Sequence, residues 1–575
     1  MILGTIATYS SIFGNLRPVP SSSSLISGIS SDLLISYYSF VNSVCFLNPN
    51  DRNLELETIG KILEEFPKEE QDGFAVKILQ FIDKAKGRPV KFFPTFSLLS
   101  CIEDELKRNI RSELAPISKE KERNTLINIF VKNQQIDEEI SSRLGDLQAV
   151  EEDEKLYRLF WTINIPHSEF QFTKDIYTAA YISLRFLNFI INSPKLSEHT
   201  KGFTETSVDY LKELFLLFIN ARVNHVWKFH SNFKEGSVHE NEIVKRITYD
   251  LDNNRQFTKR DFVDFRFLRN FPILKVKGNY SVANWNFIID KFYPGVIYDF
   301  LNNTNVRESF KGKDNQAKDN AYFSFIGKYF GEDILFKEIF RKIIITQSPF
   351  IIPGNDEDNN FDMFCRIDNH IFLFEYKNFM LPKKLTYDDI KKVIDERLIS
   401  NKGRKKGILQ LVSQIKKLHE FPNAFAGLKG FNKSKARLVI YPIIIYADPV
   451  LTTHGINSYL NKIFRDRLNK LNPKLKFRVQ DLILISEHFF LENSELFITR
   501  KIDMIFLINH YYQKLFNQRK SAKQNKNNPI NNHSPFEEVV KNYMGKKNRK
   551  KSFNSYYFQH IKQEMFPLET IKKIK

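Results

Sequence analysis

Cysteine is scarce. The 575 residues hold three, Cys45, Cys101 and Cys365, spaced too widely for any C-x-x-C pair. That excludes a disulfide framework or a zinc knuckle and fits a reducing, cytoplasmic setting. Long apolar runs are missing too: no stretch of about 18 uncharged apolar residues occurs, so no membrane-spanning helix is expected. The opening MILGTIATYSSIFGNLRPVP lacks the basic start and apolar stretch of a signal peptide. Three catalytic signatures are also absent. Without G-x-x-x-x-G-K-[ST] the chain has no Walker-type ATPase of its own, so any energy-dependent step falls to a separate ATPase. Without H-E-x-x-H or G-x-S-x-G it is neither a zincin nor an elbow-type serine hydrolase.

What is present is aromatic and basic. Apolar residues make up 42% of the chain and phenylalanine alone accounts for 54, enough for sizeable cores. A chain of this length is expected to form two to four domains. Lys and Arg number 86 against 67 Asp and Glu, a net charge of +19. That balance favours a polyanionic partner, nucleic acid before an anionic membrane, although lysine excess also follows from an AT-rich genome.

Residues 1–235 read as a mostly helical region that selects a substrate or partner. Apolar residues recur at three-to-four spacing over Gln71–Lys86, Phe96–Arg111, Lys119–Val131, Asp175–Asn192 and Ser207–Arg222, with Ser207 a candidate cap. No repeat period supports a solenoid. Residues 236–310 read as a connecting module. Pro272–Lys277 and Tyr280–Val282 flank a Gly278-Asn279 turn, and Asn284–Phe300 is an apolar helix broken at Pro294-Gly295. The hairpin is either a wing of a winged-helix fold or, preferably, a brace packing the helical region onto the next domain. Asn302–Asn320 is polar and reads as a linker. Residues 311–515 alternate helical and strand patterns, and 516–575 reads as an Asn/Lys-rich linker and basic tail.

Chemistry concentrates at Phe361–Lys377, FDMFCRIDNHIFLFEYK. The apolar run Ile371–Phe374 reads as a buried strand, with Phe361–Phe364 its hairpin partner through Asp368-Asn369-His370. Alternation puts Glu375 and Lys377 on one face and Tyr376 on the other, and antiparallel pairing returns Asp362 beside Glu375. Two close carboxylates repel unless a cation lies between them, and an oxygen-lined site of this kind suits Mg²⁺ or Mn²⁺. An exposed ion pair at a strand end would show the same D-x12-E-x-K pattern.

The element order around these residues resembles the PD-(D/E)XK nuclease superfamily. A helix at Tyr322–Arg341 precedes the hairpin; an amphipathic helix from Gly407 and the strand-like Ala436–Ala447 follow it. The resemblance covers roughly residues 320–487. It implies an α/β restriction-endonuclease-like domain, a mixed central sheet flanked by helices, following the mostly α N-terminal region. It implies an Mg²⁺/Mn²⁺-dependent endonuclease: Asp362, Glu375 and the Tyr376 carbonyl as metal ligands, Lys377 positioning the attacking water, Gln414 (or Gln410) supporting it, and Glu338 as a further carboxylate. Phe361 replaces the namesake proline, and the Gln-x-x-x-Tyr signature of some branches lacks its tyrosine.

Basic residues lie close to that site. Lys383, Lys384, Arg404, Lys405 and Lys406 stand between the Glu-x-Lys strand and the glutamine helix, placed to grip phosphates or to form a solvated face. In the tail, Lys546, Lys547, Arg549, Lys550 and Lys551 precede Phe553, Tyr556, Tyr557 and Phe558, a mixture of charges and stackable rings suited to nucleic acid. The expected partner is nucleic acid, DNA before RNA, in a setting such as antiviral defence. The alternative is a catalytically silent nucleic-acid-binding or assembly module on the same fold.

Overall fold

The strand Val439–Tyr446, the most strand-like run in the sequence, lies at the heart of a six-stranded mixed sheet. This is a computed structural model. It describes residues 5–14, 18–47, 55–57, 59–60, 64, 68–85, 90–111, 118–144, 152–168, 170, 175–223, 245–347, 350–353, 362–379, 381, 386–401, 403–420, 438–471, 475, 477–524, 533–547 and 555–566. Across the sheet the order is Arg478–Val479, Val439–Tyr446, His370–Lys377, Met363–Ile367 and Phe350–Pro353. Ile483–Ser486 also pairs with Val439–Tyr446. The expected strand through Phe477–Ile485 is thus two short strands on one partner, and Phe350–Pro353 is an edge strand not anticipated from the sequence.

Val439–Tyr446 runs parallel to His370–Lys377, from Val439 opposite His370 to Tyr446 opposite Lys377. A parallel pair needs a long crossover. Helices Tyr387–Leu398 and Gly407–Glu420 supply it. Both faces of the sheet are covered, which is why its central strands are almost continuously apolar. Phe372, Phe374 and Tyr376 face one core, where the Phe336 ring lies 5.0 Å from Tyr376 and Phe340 5.2 Å from Phe374. Ile371 and Leu373 face the other, with Ile408, Leu411 and Ile415. Each fully buried Phe or Leu there contributes about 1.5–3 kcal/mol of transfer free energy.

The helical region is divided among three cores. One N-terminal core joins residues between Ala7 and Val131 to others between Leu251 and Phe287. Helix Glu152–Ser168 instead packs Phe160 and Trp161 on the sheet's second face, and Ile176–Asn192 packs Ile182, Phe186 and Ile190 on its first. The expected borders at 235, 310 and 515 are therefore crossed by shared hydrophobic cores. Ser207 lies inside Phe203–Val223 and does not cap it; Asp175 caps Ile176–Asn192 with its carboxylate.

The hairpin Ile273–Val276/Asn279–Val282 sits at the seam. Ile273 and Val282 belong to the sheet-side core, Leu274 and Val276 to the N-terminal core, so it acts as the brace. Its turn is Lys277-Gly278, both with positive φ, one position before the expected pair. Thr248–Asp250 adds a third strand in parallel. The segment expected as a linker after Asn302 is structured: Asn305–Ser309 is a 3₁₀ turn, Phe310 is buried and Asn315 opens a helix capped by Asp314.

The tail is also packed. In helix Ser555–Met565 the Tyr557 ring stacks on Tyr181 at 4.3 Å, and Ile561 and Met565 are buried. Tyr557 is therefore a core residue and not a platform for bases, because its face is already covered; Phe553 and Tyr556 lie outside the side chains described. No helix among the described residues is long and apolar enough to cross a membrane.

Candidate active site

The hairpin register runs from Ile367 opposite His370 to Met363 opposite Phe374. Its turn is Asp368-Asn369, with Asp368 at φ 50°, so His370 belongs to the strand. One step beyond the ladder stand Asp362 and Glu375. The Tyr376 N–H donates to Asp362 Oδ2 at 2.6 Å. Lys377 Nζ donates to Glu375 Oε1, also at 2.6 Å. A strand residue directs its N–H and C=O to the same edge, so the Tyr376 carbonyl faces the Asp362 side as well.

Glu375 is fully buried, and its Oε2 has no hydrogen-bond partner. Gln414 reaches this carboxylate from the middle of Gly407–Glu420 and is itself buried. Its amide lies near enough to favour the ionised form of Glu375, yet neither amide atom completes a hydrogen bond. An unmade bond on a buried polar atom costs about 1–3 kcal/mol, and Glu375 Oε2 and the Gln414 amide atoms are such atoms, without protein partners. Gln410, one turn earlier, has a buried amide oxygen without a partner.

The electrostatics follow from two acids and one ammonium. Burial pushes the Glu375 carboxyl up to about 8; Asp362 adds to the rise, and Lys377 opposes it. Asp362 is raised by burial, against the pull of Lys377 and the Tyr376 N–H. For Lys377, burial disfavours the charge, but Glu375 and Asp362 outweigh it and the pKa is raised.

Glu338, expected as the further carboxylate, is not in this cluster. It accepts from Arg185 at 2.7 Å and Lys342 at 3.1 Å. Glu332 is the helix carboxylate that acts on Asp362, Tyr376 and Lys377. The cause is the winding. Gly327–Phe340 forms i→i+5 bonds as a π-helix, so faces assigned by a 3.6-residue period are displaced. Gly331 permits the close approach: a Cβ there would meet the Asn378 side-chain nitrogen at 2.6 Å. Lys337 binds Glu332 at 2.9 Å and Asp333 at 3.1 Å.

Glu487 is a buried acid whose chemistry the sequence does not announce. It accepts the Tyr376 hydroxyl at 2.7 Å, and burial lifts its pKa to about 7. Its signal is an acid directly following the strand that ends at Ser486, which places it at a core strand's end. Through Tyr376 it braces the backbone that holds Asp362.

Among the cations, Arg404 and Lys405 are exposed on a short hairpin with Ser400–Asn401, just before the glutamine helix. Lys406 is half-buried where that helix begins. Lys383, Lys384, Arg549, Lys550 and Lys551 lie outside the described residues; Lys546 and Lys547 end helix Phe536–Lys547, with side chains outside the description.

Asp362, the orphaned Glu375 Oε2 and the Tyr376 carbonyl are the hard oxygen atoms at this hairpin end, the kind of donor a divalent cation takes. Glu375 Oε1 is already engaged by Lys377, and no three His, Cys, Asp or Glu residues converge among the described residues. In comparisons with known proteins, no family model, no curated protein and no solved structure matches the chain.

Proposed function

We propose that this chain is a metal-dependent nuclease that hydrolyses phosphodiester bonds, DNA before RNA, on a restriction-endonuclease-like domain. The observation behind this reading is the meeting of Asp362, Glu375 and Lys377 at one hairpin end, with Glu375 Oε2 buried and unpartnered. Asp362, Glu375 and the Tyr376 carbonyl would hold Mg²⁺ or Mn²⁺. When bound, the ion supplies Lewis acidity at the scissile phosphate.

The protein's own groups do the rest. Lys377, held by two acids, stays protonated and can donate both to a water and to a phosphoryl oxygen, where developing charge is best stabilised. Gln414, lying beside Glu375, favours its ionised form. Tyr376 holds Asp362 through its N–H and is itself braced by Glu487. Glu332 adds negative potential at the cluster's edge.

The test is incubation of the purified full chain with Mg²⁺ or Mn²⁺ and a panel of DNA and RNA, single and double stranded, beside Lys377→Ala. Cleavage lost in the variant supports the reading. Binding without cleavage by wild type, on every substrate, assigns the domain to a catalytically silent nucleic-acid-binding or assembly role.

A further inference from the structure

The helix Gly327–Phe340 has a second occupied side. Away from the acid cluster, Tyr329 and Ile334, with Phe325 just before the helix, line a cavity of about 490 Å³. Its other wall is the end of Ile176–Asn192, from Arg185 to Asn192, and the turn through Lys195. That volume falls in the range of small-ligand sites and is large enough for one nucleotide.

The lining is sorted by chemistry. Tyr329 is 43% exposed, and its ring lies 4.5 Å from Phe325, giving an aromatic floor open to solvent. Asn192 Nδ2 donates to both the backbone carbonyl and Oδ1 of Asn188, at 2.8 and 2.7 Å, fixing the two amides on one wall. Lys195 Nζ sits at the rim, 3.9 Å over Phe310 and 5.1 Å over Phe325. Arg185 is held at the opposite end by Glu338, whose charge is shared with Lys342.

We propose that this cavity takes one unstacked nucleotide of a single-stranded nucleic acid, its base on the exposed Tyr329 ring and its phosphate at Lys195. The inference takes its substrate class from the nuclease reading. Aromatic faces bind bases without regard to sequence, and cations along a groove track the backbone. A paired base cannot enter a pocket of this kind without leaving its stack. One helix thus presents Tyr329 to a base and Glu332 to the cluster at Asp362, coupling the gripping of a strand to the place where it would be cut.

The experiment reads binding alone. Fluorescence anisotropy of a labelled oligothymidylate and of a duplex of equal length, in EDTA, compares wild type with Tyr329→Ala, Tyr329→Phe and Lys195→Ala. Loss of one stacking ring is expected to weaken the single strand about tenfold, with Tyr329→Phe close to wild type and the duplex unaffected. Lys195→Ala should weaken the strand and flatten its salt dependence. Equal losses for strand and duplex, no loss in any variant, or no strand binding by wild type would each overturn the proposal. So would saturable AMP binding that fails to compete with the strand, which would assign the cavity to a free nucleotide. Because no cleavage is involved, strand binding at Tyr329 with no nuclease activity would defeat the nuclease reading and leave the pocket standing.

Discussion

The two faces of the strand His370–Lys377 differ over their last positions. On one, Phe372, Phe374 and Tyr376 are packed to the end, and even the Tyr376 hydroxyl is satisfied by Glu487. On the other, Ile371 and Leu373 give way to Glu375 and Lys377, which are nearly as enclosed but ionic and incompletely paired. The first face is apolar along the strand itself, and its one orphaned carboxylate oxygen, Glu487 Oε1, belongs to the acid that closes it from the next element. The second carries its buried partnerless carboxylate oxygen on the strand itself, beside an ammonium, a cost that a purely structural strand end would avoid by ending in leucine or valine. Spending stability at one face and recovering it at the other is the pattern expected of a site built on a rigid element.

The largest effect should come from the ionic face. Lys377→Ala should lower cleavage on the order of 10²–10³-fold or more in single-turnover assays, the loss seen when one transition-state donor is removed. Nucleic-acid and metal binding should persist. Asp362→Ala should lose metal affinity as well, measured by titration calorimetry. A Lys377→Ala, Glu375→Ala double variant that cuts at the wild-type rate would erase the contrast between the faces.

Next comes the apolar face. Phe374→Ala should cost about 3–5 kcal/mol in urea unfolding, the usual loss for a fully buried ring. A loss below about 1 kcal/mol would mean that this face is no better packed than a surface.

The third test uses pH. Glu375 titrates near 4.3 in an unfolded chain and at about 8 in the fold. A raised folded pKa means its stabilising contribution is complete below the unfolded value and lost as pH rises through the folded one. Metal-free wild type should therefore lose thermal stability across that window, and Glu375→Gln should decline less. Parallel melting curves for the two proteins would show that Glu375 is already compensated.

The smallest stability effect belongs to the tail. Neutralising Lys546, Lys547, Arg549, Lys550 and Lys551 should shift unfolding by less than about 0.5 kcal/mol. Any share in binding would appear as a shallower salt dependence, the log–log slope falling by about 0.9 for each duplex phosphate no longer neutralised. An unchanged slope would remove the tail from the binding surface.

Much of the site is legible in the sequence. Period-two alternation places Glu375 and Lys377 together and Tyr376 opposite, and the short turn at Asp368 returns Asp362 to them; all of this depends on residues close in sequence. The expectation of Glu338 as the further carboxylate fails because a π-wound helix does not present the faces of an α-helix. Tyr557, one of the tail aromatics, misleads for another reason, while Phe558 beside it is exposed. Tyr557 looks available for stacking until Tyr181, far away in the chain, covers it.

Sequence by itself determined where the central hairpin and the strand Val439–Tyr446 lie, which of their side chains share a face and which residues can do acid, base and cation chemistry, because backbone geometry alone sets those periodicities. Only the tertiary structure decided what covers each face. It set Gln414 against Glu375, closed Tyr376 with Glu487, joined Ile176–Asn192 to the sheet's core and opened a cavity between that helix and Tyr329. Burial, pairing and pKa are properties of a neighbourhood, and these neighbours come from distant parts of the chain.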